Sequence, residues 1–351
     1  MKTRYYSYLK GNLPKGCQYC VKGEKLVLFI TGLCSQHCFY CPISEKKKNK
    51  DVIYANERPI KHFKDIVEEA KLCSAKGAGI TGGDPLVKLN RTCSYIRKLK
   101  KELGKKFHIH LYTPLNLINE NSLKKLFDAG LDEIRFHPSL EDKKLWNKIK
   151  LIKKYNWEVG VEIPVIPGKE KITQELIDFI SKNIDFLNLN ELEYSDTNAN
   201  RLTELGYYTK DNLSYGIRGS QKLGLKLLKN NKIKNVHYCT AKLKDKVQLT
   251  NRIKLRAKNI KKRYDLITDE GLLFRGVIYS DKDLNKLKKE LQDEFNIPDS
   301  LIEVDSKKKR ILTGSWIINE LKKKLKKKEL KIALIEEYPT SDQLEVVVDY
   351  L

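Results

Sequence analysis

The sequence is short of acidic residues. Its 351 residues carry 45 Asp and Glu against 69 Lys and Arg, a formal charge of +24, which excludes a neutral secreted mini-scaffold and makes nucleic acid one candidate partner. Much of the excess lies in runs such as Lys46-Lys47-Lys48 and Lys322 to Lys328, where a bias toward lysine explains it as well as RNA does. Also missing is any apolar run near the ~20 residues that a membrane span needs. The start MKTRYYSYLKGNLPKGC has no apolar signal-peptide core, so a cytoplasmic protein with no membrane partner is expected. No internal repeat and no long low-complexity tail is found, which excludes a repeat array. What the chain does have is eight cysteines, at 17, 20, 34, 38, 41, 73, 93 and 239. In a reducing compartment they are not expected to form structural disulfides, and five of them within the first 41 residues point to metal.

From Lys25 onward, strand-like apolar runs alternate with amphipathic helical stretches, the pattern of βα units around a parallel sheet. Strands are predicted at 25–31, 78–81, 107–113, 133–137, 158–166 and 186–192. A helix over 59–76 carries Ile66, Val67, Ala70, Leu72 and Cys73 on one face. Six such units give an open, partial (βα)6 barrel; eight would close it, and eight strands are not found. The expected organisation is an N-terminal cysteine-containing extension (1–24), the barrel (25–239), a basic helical linker (240–263) and a small basic α+β domain (264–351). That last domain is predicted from a hairpin at 266–279, a helix at 281–295, a strand pair at 300–304 and 310–313, a helix with Ile317, Ile318, Leu321 and Leu325 on one face, and a final hairpin. Cys73 and Cys93 fall in helical stretches and read as core.

Cys34-Ser35-Gln36-His37-Cys38-Phe39-Tyr40-Cys41 places three thiols at a CxxxCxxC spacing just past the strand LVLFIT and Gly32. Three thiolates in one tight loop can hold three irons of a cubane cluster and leave the fourth open to a ligand. A zinc knuckle with His37 as an extra donor is the alternative. A second element, Gly82-Gly83-Asp84-Pro85, follows the second predicted strand. Its glycines allow a ligand to approach the backbone, and its carbonyls can accept from an ammonium group.

Together these motifs resemble the radical S-adenosylmethionine (SAM) superfamily. The cysteine loop, with aromatic Tyr40 before its last thiol, is similar to the family's cluster loop, and Gly82 to Pro85 is similar to its GGEP element, with Asp84 for the commoner Glu. The whole looks nearest to archaeal proteins related to activases of glycyl-radical enzymes, such as pyruvate formate-lyase activating enzyme. The resemblance implies a [4Fe-4S] cluster on Cys34, Cys38 and Cys41, with SAM chelating its unique iron. Gly82, Gly83, Asp84 and Pro85 would place the SAM amino group, and Tyr40 would make a backbone contact to adenine. Reductive cleavage of SAM would then yield a 5′-deoxyadenosyl radical that takes a hydrogen atom from a substrate.

Other candidates rest on position alone. Thr113 ends the strand where relatives place polar contacts to SAM, and Arg135 and His137 are next along the wall; alternating His and Leu would also simply pack that wall. Glu162 to Gly168 resembles the family's segment against adenine, while Glu191, Glu193 and Tyr194 could face substrate or solvent. No catalytic acid or base is assigned. Cys17 and Cys20 form a CxxC which, with His237 and Cys239, could make a Cys3His zinc site or ligate an auxiliary iron-sulfur centre; a reduced CxxC with an unrelated buried Cys239 is the alternative. Gly216 to Ser220 could cradle phosphate but reads more simply as a loop. The leading reading is a radical SAM enzyme acting on a macromolecule, protein or RNA, with an electron donor such as a ferredoxin or flavodoxin. Its rival is a non-catalytic, metal-stabilised RNA-binding protein.

Overall fold

The apolar runs form a parallel sheet because each alternates with a helix that covers it. The structure is a computed structural model describing residues 1–351. It divides into two compact units, Met1–Lys71 with Ala75–Leu249, and Leu72–Ser74 with Thr250–Leu351.

In the first unit the strands are β1 (Tyr8–Lys10), β2 (Lys25–Phe29), β3 (Tyr54–Ala55), β4 (Arg58–Pro59), β5 (Gly77–Thr81), β6 (His108–Pro114), β7 (Glu133–His137), β8 (Glu158–Val165), β9 (Phe186–Glu191) and β10 (Asn235–Cys239). They form one sheet in the order β1-β10-β9-β8-β7-β6-β5-β2-β3-β4. From β2 across to β10 all neighbours are parallel, and the sheet ends at β1 and β4 without closing. This is a partial barrel. The sequence reading ends the wall at β9 and sets His237 and Cys239 beyond it; the structure places both on β10, a further parallel strand. NVHYC is too short and too polar to announce itself.

The helices are α1 (Lys15–Val21), α2 (Phe63–Leu72), α3 (Leu89–Leu103), α4 (Glu120–Asp128), α5 (Glu170–Ile180), α6 (Ala199–Glu204) and α7 (Ser220–Lys229), with a 3₁₀ stretch over Lys143–Lys154. α3 buries Thr92, Cys93, Ile96 and Leu99, the spacing one helical face requires. α4 opens with a reciprocal cap between Asn119 and Ser122, which satisfies two helix-end N–H groups. Along β6, Ile109 and Leu111 join the apolar core, while His108, His110 and Tyr112 face the other way and touch one another. The barrel lumen is therefore polar. α1 lies at its N-terminal end, where the Gly16 N–H donates to Glu133, the first residue of β7, at 3.1 Å.

The basic stretch 240–263 is more than a linker. α8 (Ala241–Leu243) runs through a π-helical turn at Lys244–Leu249 into α9 (Thr250–Ile260), burying Leu243, Val247, Ile253 and Ala257. The second unit adds β11 (Leu266–Ile267), β12 (Leu273–Tyr279), α10 (Leu284–Phe295), β13 (Ile302–Asp305), β14 (Arg310–Thr313), α11 (Ser315–Lys327), β15 (Lys331–Glu337) and β16 (Glu345–Tyr350). Its sheet runs β13-β14-β12-β15-β16, all antiparallel, with β11 beside β12. Leu287, Leu291, Ile317, Ile318 and Leu325 of α10 and α11 pack on Ile278, Ile311 and Ile332.

Candidate functional site

The loop after β2 is folded back on itself. The Gly32 N–H donates to the Lys50 carbonyl at 2.8 Å, and the Asn49 N–H returns to the Gly32 carbonyl at 3.0 Å. A Cβ at Gly32 would lie 1.7 Å from the Lys47 carbonyl oxygen, so only glycine fits there. Asp51 then locks the base: it accepts from Thr31 Oγ1 at 2.9 Å and from both Arg91 guanidinium nitrogens. The Arg91 bonds hold its carboxyl well below the usual range.

Between these anchors, Cys34, Cys38 and Cys41 line one cavity of about 340 Å³, together with Gly82 and Gly83. Burial pushes the Cys34 and Cys38 thiols up, so a metal must displace their protons on binding. Gly82-Gly83-Asp84 continues past β5 against the loop. The Gly83 and Asp84 N–H groups donate to Thr31 and Leu33 carbonyls at 2.8 and 2.9 Å. A Cβ on Gly82 would come to 2.4 Å from the Thr31 oxygen, and one on Gly83 to 2.8 Å from Cys34 Cβ. Gly82 also has φ 153°.

Asp84 is fully buried. Its Oδ1 accepts from the Leu86 N–H at 2.9 Å and from Thr113 Oγ1 at 3.0 Å, while Oδ2 has no partner. Burial raises its carboxyl, opposed by those two hydrogen bonds. Thr113 thus both lines the cavity and orients Asp84. Pro85 turns the chain away, and its carbonyl accepts from Thr92 at 2.8 Å.

His137 lines the cavity too, held by its neighbours. Its Nδ1 lies 2.8 Å from the Glu162 carbonyl and its Nε2 2.9 Å from Tyr40 Oη. A carbonyl only accepts, so Nδ1 carries the hydrogen and Nε2 accepts from Tyr40. Burial pushes the imidazole pKa down. At the cavity floor, Glu162 accepts from Arg135 at 2.9 Å, Asn188 at 2.8 Å and Asn190 at 2.9 Å. Burial alone would raise its carboxyl, but Arg135 and the two amides outweigh it and hold it low.

Several residues here carry no sequence signal. Asn198 Nδ2 donates to the Tyr40 carbonyl at 3.0 Å, Thr197 Oγ1 to the Cys41 carbonyl at 3.4 Å, and the Tyr207 ring stacks on Phe39 at 6.1 Å. The segment after β9 thereby grips the cysteine loop. Other expectations resolve into structure. Glu191 accepts from Lys210 and the Ala241 N–H, Glu193 pairs with Lys244, and Tyr194 bonds Thr203 and Tyr207. In Gly216 to Ser220, the serine hydroxyl donates to the Val165 carbonyl and accepts from the Leu192 N–H, the work of a loop.

Cys17, Cys20, His237 and Cys239 do not assemble as a ligand set. Cys17 accepts from Asn188 at 3.3 Å, and His237 pairs with Asn188 across β10 and β9. Cys239 is turned among Val21, Leu243 and Val247. The trio of metal-capable side chains whose ligand atoms do lie within 4.8 Å of one another is His108, His110 and Glu133.

The sequence profile of the radical SAM superfamily matches residues 28–142, and a domain of unknown function (DUF8061) matches 271–348. A protein of Methanocaldococcus jannaschii provisionally named a glycyl-radical enzyme activating enzyme is 45% identical over 97% of this chain and 94% of its own. Among solved structures, Streptococcus suis SuiB bound to S-adenosylmethionine has a TM-score of 0.43 at 14% identity over 62% of this chain, and methylornithine synthase 0.41 at 17% over 58%. This chain spans 50% and 61% of those two.

Proposed function

Because the chain belongs to the radical SAM superfamily, an enzyme family whose members use SAM and an iron-sulfur cluster, we propose that it activates a protein substrate by reductive cleavage of SAM. Membership makes the non-catalytic RNA-binding reading unnecessary. A cluster held there would supply one electron for the reductive cleavage of SAM, the source of the radical that would take a hydrogen atom from the substrate.

The residues fit such a group. Three thiols share one cavity with Gly82 and Gly83, whose missing side chains let their backbone pack against Thr31, Leu33 and Cys34, and the next residue, Asp84, is buried with one carboxylate oxygen lacking a partner; this arrangement carries the reading. In it Cys34, Cys38 and Cys41 hold the irons. The unpartnered Asp84 Oδ2 and the Gly82-Gly83 backbone receive the SAM ammonium, with Thr113 fixing the carboxylate. His137 orients Tyr40, while Glu162 and Asn190 offer polar contacts on the floor. Support for a protein substrate, rather than RNA, is the activating-enzyme name of the 45% identical relative. A ferredoxin or flavodoxin would supply the electron. No helix is long and apolar enough to cross a membrane.

The test is 5′-deoxyadenosine release from SAM by the anaerobically reconstituted, dithionite-reduced protein, with Cys38→Ala beside it. Release that disappears in the variant is expected. Incubation with protein and RNA fractions then identifies the substrate class: an isotope label passing from protein into 5′-deoxyadenosine supports the proposal, and a label passing only from RNA overturns the protein assignment.

A further inference from the structure

Between β9 and α7 the chain makes an excursion that grips the cysteine loop on one side and is bare on the other. Toward the loop it turns Thr197, Asn198 and Tyr207, and Leu202 and Ile217 pack with Ile166 and Leu192 beneath it. Outward it shows Leu205, Tyr208, Leu213 and Tyr215, with exposures of 45%, 57%, 98% and 64%. On a chain this rich in lysine, such a concentration within residues 205–215 does nothing for the fold. It marks a surface that a partner covers, and tyrosine is among the residues that interfaces favour.

The excursion also carries an open strand edge. The Tyr194 N–H donates to the Tyr215 carbonyl and the Ile217 N–H to the Leu192 carbonyl, each at 2.8 Å. On the other side of 215–218, the Lys210 N–H donates to the Gly216 carbonyl and the Arg218 N–H to the Tyr208 carbonyl, each at 2.9 Å. These pairings make a small antiparallel ribbon with 208–210 at its edge. Because the Tyr208 carbonyl and the Lys210 N–H point inward, the N–H and carbonyl of Thr209 point outward, and neither has a partner. The same pairing sets Tyr208 beside Arg218. Arg218 and Lys222 are exposed and enter no ion pair. Of the nearby acids, Glu191, Glu193 and Glu204 are taken by Lys210, Lys244 and Arg201, and Asp211 accepts from the Leu213 N–H, which leaves Asp196.

Resting on the reading above that the substrate is a protein, we propose that this surface docks an acidic, extended segment of it. The segment's backbone pairs with Thr209 as an added strand, its apolar side chains cover Tyr208 and its exposed neighbours, and its carboxylates meet Arg218 and Lys222. Most of the +24 charge falls on the barrel unit, which draws an acidic partner to it. Tyr207, stacked on Phe39 of the cysteine loop, directly precedes Tyr208, so a segment seated on this edge lies beside the loop whose thiols line the cavity. RNA would also answer to Arg218 and Lys222, but it has no strand to lay along Thr209 and nothing to bury Leu205 and Leu213.

The experiment uses the full chain carrying Cys34→Ala, Cys38→Ala and Cys41→Ala, so that neither cluster nor SAM cleavage takes part. The probe is a fluorescein-labelled peptide alternating glutamate with valine, followed by fluorescence anisotropy. Its companions are the same peptide with lysine for glutamate, the same peptide with its backbone nitrogens methylated, and a labelled uridine oligomer. Expected is saturable binding of the acidic peptide, about tenfold tighter or more than either altered peptide. Tyr208→Ser and Arg218→Glu should each weaken it by about tenfold, while Tyr350→Ser, at an exposed tyrosine of the second unit, leaves it unchanged. No binding of the acidic peptide, equal binding of the lysine or methylated peptide, or full binding by both Tyr208→Ser and Arg218→Glu would overturn the proposal. RNA binding that these two variants abolish, with no peptide binding, would overturn it in favour of RNA. If the isotope test assigns a protein substrate and the peptide does not bind, the docking surface alone falls; if it assigns RNA, both fall. The altered peptides need no variant of the surface, so a folding failure in one cannot hide the answer.

Discussion

In the second unit, Glu337 is fully buried but meets Arg275 Nη1 at 3.1 Å, Arg310 Nη2 at 2.5 Å and Lys308 Nζ at 3.2 Å. Arg275 meets Asp265 as well, and Arg310 meets Asp305. In the barrel lumen, by contrast, His237 has neither ring nitrogen partnered, and Arg135 Nη2 and Asn188 Oδ1 are bare. Both interiors are polar. One gathers its charges into ion pairs within the chain, with Arg275 Nε and Asp265 Oδ1 left over, as a network serving stability does; the other leaves an imidazole, an amide oxygen and part of a guanidinium unpartnered around a cavity and a donor cluster, as a site serving ligands does.

The sharpest way to break this contrast is at Glu337. Glu337→Ala strands Arg275 and Arg310 without their shared carboxylate and should cost about 3–5 kcal/mol, read as lost hydrogen-exchange protection along β12 and β15. A variant that keeps wild-type protection would place the network's stability elsewhere.

Next in size is an effect confined to the lumen. Burial pushes the His237 pKa down to about 4, with Arg135 adding and Glu162 opposing. Its unfolded value is near ~6.5, so between those pH values the unfolded chain binds the extra proton. Stability is therefore complete above that unfolded value and falls as pH drops toward 4, by about 3 kcal/mol from this group. His237→Gln should remove that share of the acid loss in urea titrations at pH 7 and pH 4. An unchanged difference would show that His237 is already paired or hydrated.

The smallest effect concerns the grip on the cysteine loop. Tyr207→Leu removes the stack on Phe39 and should cost about 0.5–1.5 kcal/mol, seen as faster alkylation of Cys38 and Cys41 by iodoacetamide in the unloaded protein. Equal alkylation rates would make the stacked pair incidental.

What could be read from the sequence was local. Cys34, Cys38 and Cys41 stood out through their spacing and Gly82-Gly83 through paired glycines after a strand, and the structure brings all five to one cavity. The six leading strands showed because each is an apolar run between helical patterns. Asn198 and Tyr207 could not be read, because their contacts with the loop span more than 150 residues of chain and no spacing rule links them. The donor trio was half visible: alternation on β6 puts His108 and His110 on one face, but Glu133 joins them only through the sheet register that sets His110 opposite it.

One pairing bears on how the molecule is made. β1 is antiparallel to β10, Tyr8 opposite Tyr238 and Lys10 opposite Val236. A chain emerging N-terminus first has its opening strand ready long before its partner is synthesised. Closing so long a loop is entropically affordable but slow. During that interval the three loop thiols have left the ribosome while the wall beside them is incomplete, so they are at their most accessible before the barrel is finished.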